Sequence, residues 1–433
     1  MSSQNLKINH FNISMESSKL NTKCAFCNSL NVDLIMDFGE MALAGGFLKL
    51  KDFDNEPKFM MRVGFCKDCY AVQILDGIPP DLMFKDYFYF SSSIGTLQDH
   101  FKDYAKEVTG RFLDPSNATV LEFGCNDGVL LKPLADQNIN TVIGIDPAEN
   151  VISTIDDNRI NTICNYFTED VAEEVVHNFG QVDLVMANNA YAHIDDIQGT
   201  TRAVKKVLSK DGVFAFEVHY LGVVIDELQY DMIYHEHIYY YSLLSAINHF
   251  KKYSMIVFDI KLLNIHGGSY RFYVCNDDGK YAESISDNVK SLINEETKKG
   301  YNDLQTFKNF SSQISKVKGD LMTVLKKLKS EGKTIVGYGA SGRANTMIQY
   351  CGIDTNLIDY MIDDSIAKQG FYTPGSHIEI KSNSFLHGDN PPDYVLVFAW
   401  TFFDEIKSKN EDYLKKGGKF IIPLPEVSIY SES

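Results

Sequence analysis

From residue 117 to 220 the chain repeats one pattern: a short apolar run, a break, then a polar stretch with helix-spaced apolar positions. "NATVLEFGCNDGVLLKPLAD" reads as strand, glycine turn and helix, and "INTVIGIDPAEN" as a second strand ending in an acid. "QVDLVMANNAYAHIDD" and "GVFAFEVHY" are two more strands ending in polar residues. Strands alternating with helical stretches predict an α/β unit. Further on, "SLLSAINHF" predicts a helix with Ser242 as its N-cap, and "MIVFDIKLL" and "SYRFYVCN" predict a strand-rich end. From about 284 to 330 spaced apolar residues in a charged background predict linking helices. The strand, glycine turn and helix pattern then restarts in "KTIVGYGASGRANTMIQY".

The first eighty residues follow another pattern. They carry "CAFC" (Cys24, Cys27) and "CKDC" (Cys66, Cys69). Two such pairs can close a tetrahedral four-thiolate zinc site, which leaves no open position for catalysis and is therefore structural. A redox use of each pair lacks the thioredoxin-like context it needs. The long gap between pairs predicts a folded insert. The division predicted is 1–80 zinc-binding domain, 81–283 central α/β domain, 284–330 linking helices and 331–433 a second Rossmann-like domain. The fold class is α/β, with a small zinc-binding domain in front.

Charge and composition narrow the function. With 433 residues and a net charge of -17, the chain lacks the basic footprint of a nucleic-acid binder. No apolar run is long enough to span a membrane. The polar first twenty residues lack the apolar core of a signal peptide and predict a weakly ordered lead-in. Paired cysteines on a chain of this length point to a reducing, cytoplasmic setting. Nothing suggests a dimerising helix, so a monomer is expected.

Two glycine turns are candidate ligand sites. The first places Glu122, Gly124, Asn126 and Gly128 between strand and helix, with Asp146 at the end of the next strand. An acid there can accept hydrogen bonds from both ribose hydroxyls, and the spacing is not that of a dinucleotide loop. This suits an adenosyl ligand without a pyrophosphate. Asn188, within "ANNAYAH", sits at the next strand end. A glycine turn shaped by packing alone is the plainer alternative. The second turn, "GYGASG" (Gly337, Gly339, Gly342), matches the dinucleotide spacing, with Asp363 and Asp364 following. Ser341 and Arg343 there suit any phosphate, and a purely architectural turn is again possible.

"QYDMIYHEHIYYYS" (229–242) raises the chemical question. The spacing of His235 and His237 does not fit a helical zinc site, and no third ligand is evident. A packed tyrosine-rich loop and a proton-transfer site both remain open.

Taken together, these motifs resemble the S-adenosylmethionine-dependent C-methyltransferases that act on nucleotide-linked 4-ketosugars in deoxysugar biosynthesis. The resemblance runs from Cys24 to "IIPLPE" near the end. "LEFGCNDGVLL" resembles that family's adenosylmethionine loop, with Cys125 where serine is usual, and "GEMALAGGFL" lacks an expected proline before the leucine. "YHEH" (Tyr234 to His237), "HGGSYR" (His266 to Arg271) and "GYGASGR" also have counterparts. The resemblance implies S-adenosylmethionine and structural Zn2+ as cofactors, and a C-terminal Rossmann-like domain that helps hold a nucleotide-sugar without nicotinamide. It implies methylation of a carbon beside the ketone, C3 before C5, through an enolate. His237 would be the base, Tyr234 the enolate stabiliser, Glu236 a group that orients a histidine or touches the sugar, and His193 a second acid/base candidate. Tyr89, with Tyr87 beside it, and His235, His266, Ser341 and Arg343 would line the substrate. An NAD-dependent ketosugar reductase using "GYGASG" is the competing enzyme, and a zinc-bearing protein without catalysis is the third reading.

Overall fold

Seven strands meet in the central sheet of the computed structural model, which describes residues 19–84, 90–93, 95–265 and 267–432. Thr119–Phe123 lies at the middle of its five parallel strands. Thr141–Ile145 and Ile160–Ile163 extend the sheet on one side, and Val182–Asn188 and Leu208–His219 on the other, all parallel. Ser269–Asn276 and Met255–Leu263 finish the second side in antiparallel pairing. Because the chain reverses its direction of travel at Thr119–Phe123, the loops after this strand and after Val182–Asn188 part and leave a crevice at the carboxyl ends of the strands. The core strands are buried on both faces, which is why their sequences read as continuous apolar runs.

The C-terminal sheet repeats this logic. Ile335–Tyr338 is flanked by Met361–Ile362 and Ile380–Lys381 on one side and by Tyr394–Val397 and Lys419–Ile422 on the other, all parallel. Ser428–Tyr430 adds an antiparallel edge. The two helices between the sheets are Asp287–Lys299 and Leu304–Ser330. The second is more than a link. Phe307, Phe310, Ile314, Val317, Leu321, Leu325 and Leu328, spaced three or four apart, form one buried stripe. That stripe joins the same core as Met61 and Phe65 of the cysteine segment and Met347 and Ile348 of the C-terminal unit.

The insert between the cysteine pairs is a hairpin of long strands, Val32–Ala42 against Lys58–Cys66, with Val72–Ile74 beside the latter. A fourth strand comes from far along the chain: Tyr239 and Tyr240 pair with Gln73 and Val72. Among the described residues, the segment has no core of its own. Cys24, Phe26, Cys66 and Cys69 are buried in the core of the central domain, and Met36, Phe38 and Met41 in the core shared with the C-terminal unit. Among the described residues, no helix is long and apolar enough to cross a membrane.

Candidate active site

Each cysteine pair folds into the same turn. The amide of Asn28 donates to the Cys24 carbonyl at 2.8 Å and that of Tyr70 to the Cys66 carbonyl at 2.8 Å. Both closing residues have left-handed backbone, with φ of 61° and 67°. The turns face one another: Sγ of Cys24 lies 3.5 Å from that of Cys69, and Cys27 3.5 Å from Cys66. All four sulfurs lie within 4.8 Å of one another, and all four cysteines are free thiols. A tetrahedron with Zn–S bonds near 2.3 Å has edges of about 3.8 Å, so the four sulfurs are spaced to close around one Zn2+.

The first glycine turn is built for close approach. Gly124 has φ of 65°, and a Cβ there would come within 2.4 Å of the Ala190 Cβ; Gly128 has φ of 74°. Asp146 ties the turn to the next strand, its two oxygens accepting from the amides of Asn126 and Ala148 at 2.9 Å each. Each oxygen keeps a lone pair for a ligand hydroxyl. The Asn188 side-chain amide donates to Glu122 Oε1 at 2.7 Å. Glu122 Oε2 and Asn188 Oδ1 are buried without a hydrogen-bond partner among the described residues. Such orphaned acceptors at a crevice suit the cationic amino-acid end of S-adenosylmethionine. Burial pushes the Glu122 carboxyl up to about 8, against the pull of the Asn188 bond. The amide of Ser91 donates to Asn126 Oδ1 at 2.9 Å, and the Ser92 hydroxyl donates to Asp127, so the chain just before helix Gly95–Phe112 closes over this turn. Tyr89, Tyr87 and His266 lie outside the described residues.

In "YHEH" the side chains divide. His237 is held at both ring nitrogens. Its Nδ1 faces the Met232 carbonyl at 3.1 Å and so carries the proton, which leaves Nε2 to accept from the Tyr234 hydroxyl at 2.8 Å. The His193 ring stacks on His237 with centroids 5.0 Å apart, and the Phe84 ring stacks on His193 at 5.9 Å. Burial lowers His193 to about 4, so it is neutral at pH 7. Glu236 has its Oε1 3.5 Å from the point a Cβ on Gly45 would occupy, and burial raises its carboxyl to about 7. His235 goes elsewhere. It is buried edge-on to Phe59 of the cysteine segment, with centroids 6.2 Å apart, and its Nε2 has no partner among the described residues. The structure therefore brings Tyr234, His237 and His193 together and sets His235 against the zinc platform.

The second glycine turn is already engaged. Asp363 accepts from the amides of Ala340 and Ser365 at 2.8 and 2.9 Å, and the Lys368 ammonium donates to the Ala340 carbonyl at 2.7 Å. Asp363 thus clamps its turn just as Asp146 does in the first unit, and differs in also pairing with the Lys368 ammonium at 3.3 Å. Ser341 caps helix Gly342–Cys351 by accepting from the Ala344 amide. Arg343 donates from Nε and Nη2 to Asp231 at 3.0 and 3.1 Å. Gly342 lies close to both Ala44 and the Tyr234 ring. Asp231 and the Gly45 contact carry no sequence signal: each depends on segments more than a hundred residues apart meeting in space.

Three family models match consecutive stretches of the chain. Residues 24–84 match one described as "Putative zinc binding domain", 97–253 "Methyltransferase domain" and 264–425 "C-methyltransferase C-terminal domain". Over 410 residues the chain is 31% identical to C-methyltransferase NovU of Streptomyces niveus, covering 94% of this chain and 97% of the relative. Magnesium protoporphyrin IX methyltransferase (ChlM) from Synechocystis PCC 6803 with bound SAH is similar over 41% of this chain and 83% of its own, at 13% identity and TM-score 0.33. The CcbJ methyltransferase from Streptomyces caelestis is similar over 44% of this chain and 100% of its own, at 11% identity and TM-score 0.33. With all three family models in order and a relative matched almost end to end, the chain belongs to the S-adenosylmethionine-dependent C-methyltransferases.

Proposed function

We propose that the enzyme methylates a nucleotide-linked 4-keto-deoxysugar at a carbon beside the ketone, C3 before C5, through an enolate. The observation that carries this reading is the Tyr234–His237 pair, with the hydroxyl 2.8 Å from Nε2 and Nδ1 anchored on a carbonyl. A carbon nucleophile requires a base and an oxyanion donor at neighbouring points, and this pair offers both. His237 Nε2 takes the proton from the carbon beside the ketone. The Nδ1–H bond to Met232 then steadies the imidazolium that results. The Tyr234 hydroxyl, released from Nε2, donates to the enolate oxygen. His193 stays neutral beside the new positive charge because its own basicity is depressed by burial. Glu236, poised near neutral pH, hydrogen-bonds the sugar's polar groups.

Glu122, Asn188 and Asp146 hold the methyl donor, with Gly124, Asn126 and Gly128 lending their backbone. Bound S-adenosylmethionine supplies an electrophilic methyl group on a sulfonium. In this reading residues 1–80 form a zinc-braced platform, 81–283 the methyltransferase domain, 284–330 connecting helices, and 331–433 the unit nearest the nucleotide-sugar.

The test is mass spectrometry after incubation with S-adenosylmethionine and a panel of nucleotide-linked 4-keto-6-deoxysugars. A product heavier by one methylene, with a new carbon–carbon bond by NMR, is expected. No methylated product from any panel member overturns the proposal, and consumption of NADH with the same sugars would favour the reductase reading.

A further inference from the structure

The carboxyl ends of the C-terminal strands form a second crevice, between the loops that follow Ile335–Tyr338 and Tyr394–Val397. In a doubly wound sheet such a crevice receives the ligand. Here it receives a side chain from the central domain. Asp231, fully buried, sits two residues after Gln229 at the start of the loop that carries Tyr234 and His237. Its carboxylate accepts from Arg343 Nε and Nη2 and from the Trp400 indole N–H at 3.0 Å. Arg343 lies in the first turn of helix Gly342–Cys351, just past one crevice loop, and Trp400 in the turn that follows Tyr394–Val397; the guanidinium lies 5.4 Å over the indole ring. Two further bonds dock the same loop. Thr346 donates to the Ile233 carbonyl at 2.9 Å, and Gln229 donates to the Gly267 carbonyl at 3.0 Å.

We propose that Asp231 is a positioning residue for methyl transfer: it plugs the catalytic loop into the C-terminal crevice, so that this unit sets where Tyr234 and His237 stand. The inference rests on the proposed function, since it takes His237 as the base. The physical reason is that Met232, whose carbonyl orients His237, is the next residue after Asp231. A bidentate guanidinium contact fixes direction as well as distance, and a buried carboxylate cannot leave it cheaply. Releasing Asp231 moves the Met232 carbonyl and hence the ring it holds. It leaves the donor-binding turn around Gly124 untouched.

The experiment uses the full-length zinc-loaded enzyme and whichever panel sugar the wild type methylates. For Asp231→Asn, kcat is expected to fall about 100-fold, the loss typical of a base displaced by an ångström, with KM for the sugar within about twofold. Affinity for S-adenosylmethionine and zinc content stay unchanged. Arg343→Gln should show the same pattern, and the double variant should be no worse than either alone, because the two residues act as a unit. Trp400 is the single tryptophan of the chain, so its emission reports directly on the contact and should shift in Asp231→Asn. If Asp231→Asn does not fold, Trp400→Phe removes one of the bonds and should lower kcat several-fold with KM unchanged. A kcat equal to wild type in Asp231→Asn, or an Arg343→Gln that raises KM alone, overturns the proposal; the latter would mark Arg343 as a phosphate ligand. A wild type that methylates no panel sugar overturns the functional reading and the role of Asp231 with it, whereas a working wild type with an equally fast Asp231→Asn overturns the positioning role alone.

Discussion

At the scale of the residue, the site is defined by which nitrogen of His237 carries the proton. The Met232 carbonyl fixes the proton on Nδ1, so Nε2 presents the lone pair that accepts from Tyr234. His237→Asn should therefore abolish turnover while calorimetry still detects S-adenosylmethionine binding, and incubation in D2O should no longer wash deuterium into the sugar carbon beside the ketone. Exchange at the wild-type rate would remove His237 from the role of base. Burial also sets a pH signature. Glu236, raised from 4.5 to about 7, holds a proton in the folded state that the unfolded chain releases, so this residue favours folding at low pH and loses that effect as pH rises from about 4.5 through 7. His193 and His235, lowered from 6.5 to about 4, act in the opposite sense: their contribution is present above 6.5 and lost as pH falls through 4. Thermal melts across pH should show a maximum between these limbs. Glu236→Gln should make the neutral limb shallower, with Glu122 and Glu296 carrying the rest of it, and leave the acid limb in place.

At the scale of the element, two turns give sharp tests. Gly124 combines a left-handed φ of 65° with a Cβ position 2.4 Å from Ala190, and backbone strain and a clash would act together. Gly124→Ala should weaken S-adenosylmethionine binding at least tenfold, measured by titration calorimetry, because that strain of about 1–3 kcal/mol is relieved only by opening the turn. The zinc turns act at longer range. Tyr239 and Tyr240 pair with the strand that leaves Cys69, and the helix they precede starts at Leu243 under the cap of Ser242. Chelating the zinc should thus lower the melting temperature and also slow turnover before the protein unfolds, seen by following activity and circular dichroism together. Ser242 shows how much local chemistry can be read from sequence: its hydroxyl accepts from the Ser245 amide, the bond expected of an N-cap serine.

At the scale of the whole molecule, the three units meet at "YHEH". Gly45 of the cysteine segment stands beside Glu236, Gly342 of the C-terminal unit beside Tyr234, and the Ala42 backbone exchanges two hydrogen bonds with Gln349. Because the cysteine segment shares its apolar residues with both neighbours, it has no separate core to melt. Differential scanning calorimetry of the zinc-loaded protein should show one transition that includes this segment. A separate low-temperature peak lost on zinc removal would contradict the shared core.

What the sequence determined by itself was everything carried by local spacing. Paired cysteines, the two glycine turns, the apolar runs that became parallel strands and the N-cap at Ser242 each depend on neighbours within a few residues, where backbone geometry and hydrogen bonding act directly. The tertiary structure decided the partners. Arg343 looks like a phosphate ligand in "GYGASGR" because a guanidinium near a helix start suits one, yet it meets Asp231, 112 residues away. His235 and His237 look equivalent in the chain, yet one is buried against Phe59 and the other faces Tyr234. Such choices follow from which surfaces three packed units press together: the Asp231 carboxylate meets the Arg343 guanidinium there, and the His235 imidazole is held neutral by burial.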